Sequence, residues 1–367
     1  PIIGDTEGDL LGLGMHISQG GDRLAVGYPG NKHGFVRVFQ FSPDLEGWIQ
    51  YGQTLMGPSL LSSFGQAVSL NYNGDILVVG APGHSSGEDR HQNGLVRVFK
   101  DTKDNSMDQK WIQVGDELIG EFSGDRFGNS LSVDDTGRHF VVGAPKNSLK
   151  WENAGSVYWY QKTTNGEYEI LQEESIAHSN KYDVSHVTGD GEGFQLGTKC
   201  VISIDGTVFT TNAPRASLEG IRSAGLVASW SYDTYQAKEE MGKPIFGSEV
   251  DEGLGSDFDA LRSHEMIAMS GRNKPTGETG AIKVYSIING NTWLQFGGTI
   301  QGPNVGGGEF LGNRPSVAMT SSGIYLKGTI RVAVGYQSVA IGDELAKPMI
   351  AVYSFTGLAI EAEGQSS

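Results

Sequence analysis

The stretch "FGQAVSLNYNGDILVVGAPG" (64–83) sets an apolar run, a polar turn and a second apolar run in a row, the lettering of two short strands joined by a hairpin. Its second half returns along the chain as "LAVGYP" (24–29), "FVVGAP" (140–145) and "VFTTNAP" (208–214). Weaker copies are "MIAMSGR" (266–272) and "RVAVGYQ" (331–337). These copies end at 29, 82, 145, 214, 272 and 337, one unit per roughly 60 residues.

Three further elements keep step with this run. "FGQAVSL" (64–70) precedes it and returns as "LGLGMHIS" (11–18), "FGNSLSV" (127–133), "FQLGTKCVISI" (194–204), "DFDALRS" (257–263) and "FLGNRPSVAM" (310–319). A third element follows it and ends on an aromatic residue each time: Phe39, Phe99, Tyr160, Trp230, Tyr285 and Tyr353. A large anchor at one register position of an extended strand explains that regularity. The fourth is "WIQYGQTLMG" (48–57), "WIQVGDELIG" (111–120) and "WLQFGGTIQG" (293–302), with degraded forms at 167–176 and 244–250.

Four short strands per unit, bounded by Gly, Asn and Asp turns and repeated six times, predict an all-β, six-bladed β-propeller of four-stranded blades. Blade repeats begin near 11, 64, 127, 194, 257 and 310, and residues 1–355 form a single domain. "IIGDTEGDLLG" (2–12) lies without gaps on "LIGEFSGDRFG" (118–128), so the chain opens in the fourth strand of a unit. Residues 1–8 are therefore expected to complete the sixth blade against 349–355 and to close the ring. The tail 356–367 has no matching repeat, and "TYQAKEEMGK" (234–243) is expected to form at most a short helical turn.

The order FG, turn, VGAP, then G-x-V-x-V-aromatic resembles the FG-GAP repeat, which builds the N-terminal propeller of integrin α chains and of many microbial surface proteins. The resemblance is closest at 64–83 and 127–146 and extends over residues 1–355. It implies a propeller that recognises a protein partner or a glycan at a cell surface. Integrin-type repeats often hold Ca²⁺ in an acid-rich hairpin loop. The corresponding loops here, "NYNGD" (71–75), "DDTGRH" (134–139) and "IDGT" (204–207), have too few oxygen ligands, so those Ca²⁺ sites are not carried over. The seven units of the integrin ring are not matched either; six are visible.

Composition agrees with this class. The 54 glycines are about twice the usual share, as many tight turns require. A net charge of −16 argues against nucleic acid or an anionic membrane surface as partner. No apolar run approaches the length of a membrane span. Cys200 is the single cysteine, so no intrachain disulfide forms, and in "GTKCVISI" it reads as a small apolar strand residue. The start at Pro1 reads as a processed product, and the expected setting is extracellular, at a cell surface or in an organelle lumen.

Loops on a rigid scaffold are where binding residues usually lie. Two sets open on one face: those between strands two and three (30–33, 83–93, 146–154, 215–224, 273–279, 338–347) and those joining blades (5–10, 58–63, 121–126, 178–193, 251–257, 303–309). The candidate binding residues on them are His84, Glu88, Asp89, Arg90, His91, Lys150, Trp151, Arg215, Arg222 and Lys274. Trp151 is the loop aromatic on which a sugar would stack. "GHSSGEDRH" (83–91) also has the residue types of a metal site, but no helix or strand fixes their spacing, and a solvated polar loop is the plainer reading; His178 and His186 read alike.

An acid stands one or two residues before the FG position in five units: Asp9, Asp125, Glu192, Asp257 and Glu309, with Ser62 in the second. They are read either as channel-mouth carboxylates attracting a cation or a basic partner, or as acceptors for turn amides; the turn reading is favoured. No nucleophile elbow, H-E-x-x-H or phosphate-binding loop occurs, so no catalytic residue is assigned. The expected function is a non-enzymatic interaction or adhesion propeller, as a module or within a multi-subunit assembly. The alternative is a propeller hydrolase or lyase using the channel carboxylates.

Overall fold

The computed structural model describes residues 2–30, 32–103, 110–163, 166, 168–170, 193–218, 220–233, 236–273, 279–301, 316–321, 330–336, 340–341, 344–345 and 349–355. Its strands form six antiparallel sheets in chain order and one small hairpin, Ala340–Ile341 with Glu344–Leu345. The second sheet shows the plan: Ala67–Leu70 pairs with Ile76–Ala81, which pairs with Leu95–Asp101. Both Trp111–Gln113 and Leu118–Ile119 then share the outer edge.

The terminal aromatic residue of the third strand sets a common register. Phe39 lies opposite Leu24, Phe99 opposite Leu77, Tyr160 opposite Phe140 and Trp230 opposite Phe209. Tyr285 and Tyr353 face Ile267 and Val332 in the same way. The anchor reading of these positions therefore holds in all six sheets.

The outer strand is broken in a regular way. After Gln50, Tyr51 still donates its amide to Val38 O, and then Gly52 takes φ 83° and leads the chain away. Val114, Met241 and Phe296 make the same bond, and Gly115, Gly242 and Gly297 follow them with φ 69°, 74° and 71°. Only glycine adopts that conformation without strain, which explains its place in "WIQYG", "WIQVG" and "WLQFG".

Successive sheets stack through their apolar faces. Ala25, Val36, Val38 and Leu55 of the first sheet pack on Phe64, Val68, Leu70 and Leu77 of the second. Val78, Val96 and Val98 pack on Phe127, Leu131 and Phe140 of the third. Similar cores join the third to the fourth sheet around Trp159 and Phe209, the fourth to the fifth around Val227 and Phe258, and the fifth to the sixth around Val284 and Val332. The two repeated glycines meet at these joints. A Cβ on Gly143, the glycine of "VGAP", would lie 2.0 Å from O of Gly197, the next unit's turn glycine. In the fourth unit Asn212 takes the "VGAP" glycine's place and donates from Nδ2 to Gly255 O at 2.5 Å.

Two sequence expectations change, and a third is not shown among the described residues. The fourth and fifth units meet their neighbours at Leu196–Gly197 and Leu254–Gly255, the pairs that make the parallel bridges Gly155↔Leu196 and Gly225↔Leu254. The starts at 194 and 257 are thus out of register by a few residues. Residues 236–240 form a strand with no helical turn, because Trp230 and Ser231 offer an open edge to Glu240 and Glu239. Residues 2–8 form no strand, and the expected pairing of 1–8 with 349–355 is not among the described strand pairs; Met349–Phe355 pairs with Ile330–Tyr336. Ile2 instead packs beside Val26, Tyr28, Phe35 and Phe39 of the first sheet. The tail 356–367 lies outside the described residues.

Candidate functional site

The turns that pass from one sheet to the next share a backbone form. Two left-handed residues flank one ordinary residue: Gly8 and Leu10, Leu61 and Ser63, Gly124 and Arg126, Gly193 and Gln195, Asp251 and Gly253. In the first, third and fifth of these turns the residue between them is an acid that points back into its own turn. Asp9 Oδ2 accepts the amides of Asp5 at 3.0 Å and Thr6 at 2.8 Å. Asp125 Oδ2 accepts Phe122 N at 2.9 Å, and burial pushes its carboxyl above the ordinary aspartate range. The fifth unit uses Glu252, whose Oε2 accepts Ser248 N at 2.7 Å while Oε1 takes Lys283 Nζ at 2.6 Å. Ser62 donates to His33 O in the second unit.

Asp257 therefore does not belong to this series. It lies four residues past Gly253, just before the inner strand, and accepts Lys199 Nζ at 2.6 Å and Val317 N at 2.8 Å. Glu252 was the missed member; counting from Gly255 rather than from Phe258 finds it. Asp9, Asp125 and Glu252 are buried, so these carboxylates form no solvent-facing ring. Glu192 and Glu309 lie outside the described residues.

The loops between strands two and three are fixed at their bases and open at their tips. Asn93 is buried and donates to Gly120 O at 2.7 Å and Ser86 Oγ at 2.8 Å, closing loop 83–93. His84 turns inward to lie 3.0 Å from Ser59 Oγ, and burial lowers its proton affinity. Glu88, Asp89, Arg90 and His91 are exposed, so the loop splits its histidines instead of gathering a ligand set. Asn147 closes the next loop in the same manner, accepting Ser156 Oγ at 2.9 Å and Leu149 N at 3.1 Å. Lys150 and Trp151 are exposed beyond it, Trp151 at 47%. Arg215 and Arg222 are exposed too, Arg222 lying 3.1 Å from Asp251. Lys274, His178 and His186 lie outside the described residues.

Where the inner strands begin, a polar arc runs from sheet to sheet, which sequence reading did not single out. Gln66 Nε2 donates to Asn129 Oδ1 at 3.1 Å and Asn129 Nδ2 to Thr198 O at 3.4 Å, next to the Lys199–Asp257 pair. At the opposite ends of the inner strands, hairpin turns bond to one another: Tyr72 N to Asp135 O, Asp135 N to Ile204 O, and Ile204 N to Arg262 O. Arg262 reaches over the fourth sheet's turn to pair with Asp135. Cys200 is wholly buried, and burial pushes its thiol up to about 11, which fits an inert strand residue. Among the described residues no three His, Cys, Asp or Glu side chains gather closely enough to hold a metal ion. No helix among them is long and apolar enough to cross a membrane.

No protein-family model and no curated protein matches the chain. Among solved structures, a protein from Bacteroides uniformis assigned provisionally as a 6-phosphogluconolactonase is 11% identical, with a TM-score of 0.53 over 94% of this chain and 88% of that one. The β-propeller domain of the Trilobed protease from Pyrococcus furiosus is 10% identical, with a TM-score of 0.47 over 95% and 82%. TolB from Acinetobacter baumannii gives 0.40 at 11% identity over 85% and 61%. At such identities the likeness concerns the fold alone. The antiparallel sheets stacked face to face in chain order give the chain an all-β, propeller-type architecture.

Proposed function

We propose that the chain is a six-bladed propeller serving as a non-enzymatic interaction module, with its loop-rich face as the binding surface. The observation that carries this reading is the build of loops 83–93 and 146–154. Asn93 and Asn147 fix their bases, while Glu88, Asp89, Arg90, His91, Lys150 and Trp151 stand exposed at their tips. Loop bases held in this way reduce the backbone entropy that the loops lose on docking. The FG-GAP resemblance favours a protein or glycan partner outside the cytoplasm.

Ring closure belongs to the same proposal. Ile2 holds, against the first sheet, the place that Leu55, Leu118, Ile245 and Ile300 hold in the later joints. The N-terminal segment thus lies ready as the outer strand of the sixth sheet. The half-exposed Val352 is a position that docks on the next sheet in the other units, as Val98 and Val284 do.

The test is a glycan array and a displayed-protein library probed with the whole chain and with a variant carrying R90A, H91A, K150A and W151A. Binding by the parent that the variant loses supports the reading. Binding that the variant keeps refutes the assigned face. Turnover of a lactone, ester or glycoside by the purified protein would favour the hydrolase alternative.

A further inference from the structure

Among the described residues the inner strands of neighbouring sheets do not pair with each other. At four joints a side chain at one fixed place accepts an amide of the next inner strand, beside other ties such as Lys199–Asp257 at the fourth joint and Asp257–Val317 at the fifth. That place is four residues after the turn glycines Gly12, Gly65, Gly128, Gly197 and Gly255. His16 Nδ1 accepts Leu70 N at 3.1 Å, and Ser69 Oγ accepts Val133 N at 3.2 Å. Ser132 Oγ accepts Ile202 N at 3.2 Å, and Asp259 Oδ2 accepts Met319 N at 2.8 Å. At the fourth joint the residue is Val201, which has no acceptor to offer. His264 of the fifth sheet supplies a bond in the opposite sense, with Nε2 3.2 Å from Val201 O. It occupies the left-handed hairpin position that Gly74, Gly137 and Gly206 hold in other sheets, at φ 56°, and is fully buried.

We propose that His16 and His264 are acid-sensitive latches, and that the stack of sheets parts in acid at the first and fourth joints while the serine-tied joints hold.

The chemistry differs at the two sites and ends alike. His16 accepts through Nδ1, so a proton on that nitrogen abolishes the bond to Leu70. His264 already donates from Nε2, so a second proton puts a full charge on a buried ring. Arg262 is the charged group facing His16; Arg262 and Asp205 face His264. Burial holds both imidazoles down at about 4, against 6.5 for a free one. Because the folded pKa is depressed, the neutral form's contribution is complete above pH 6.5 and lost as pH falls toward 4. Each histidine then lowers the folding equilibrium constant by roughly 100-fold across that window. Asp259 faces Lys199 and Asp257, and a protonated carboxyl keeps an oxygen that can accept Met319 N.

The test recasts the fourth joint in the form of the second and third. Val201→Ser with His264→Gly, made in the full chain, restores a serine acceptor and a turn glycine. Thermal midpoints are read from pH 7.5 to 4. The double variant should match the parent at pH 7.5 and fall less steeply below 6.5; equal slopes would overturn the proposal. Should the double variant not fold, histidine proton resonances of the unaltered protein decide instead. His16 and His264 titrating well below the exposed histidines supports the latches, and midpoints near 6.5 refute them.

Discussion

The joint between the second and third sheets and the outward face of the first sheet are written in nearly the same letters but meet different surroundings. In the joint, Phe127, Leu131 and Val133 are 1%, 8% and 3% exposed. On the first sheet the same three positions are Leu11, Met15 and Ile17, at 36%, 62% and 50%. The side chains are apolar in both places, so the difference lies in what covers them. A sheet of this kind is half of an interface, and its stability belongs to the pair.

The largest effect separating the two regions is expected inside a sealed joint. Gly143→Val would push a side chain into the Gly197 carbonyl and should cost about 4 kcal/mol or more, read as loss of cooperative unfolding by circular dichroism. Next come matched truncations. Phe127→Ala should cost about 3–5 kcal/mol by urea denaturation. Leu11→Ala should cost about 2 kcal/mol if the sixth sheet seals the first, as ring closure requires. A loss under about 0.5 kcal/mol at Leu11 would mean that this face stays open and would break the closure proposal. Asp125→Ala should cost about 1 kcal/mol, since Phe122 N loses its acceptor, whereas Asp125→Asn keeps most of it. Trp151→Ala should change the unfolding midpoint least, within about 0.5 kcal/mol, because about half of its side chain is exposed at a loop tip.

Much of the strand plan was legible because its letters are set by contacts that recur. The "VGAP" glycine is held by a backbone oxygen of the next unit, and the aromatic anchor by a fixed partner across the sheet. Legibility failed where one unit solves the same problem with other residues. Leu254 stands for Phe and Glu252 for Asp in the fifth unit, so matching on Phe258 shifted the register and misplaced Asp257. The direction in which an acid points was also invisible. Asp9 and Asp125 precede a turn in sequence, but only the paired left-handed residues turn their carboxylates inward. Strand pairing likewise overrode local propensity at Gln236–Glu240, where "QAKEE" has helix-forming letters.

The broken outer strands have a consequence for life at high concentration. A long, straight strand at the rim of each sheet would offer a continuous row of free amides and carbonyls to any neighbouring molecule. Here the rim is cut by Gly52, Gly115, Gly242 and Gly297 into pieces such as Gly47–Gln50 and Leu55–Met56. Each piece is too short and too sharply turned to template another chain. The repeat that builds the sheets thus also keeps their edges from growing into one another.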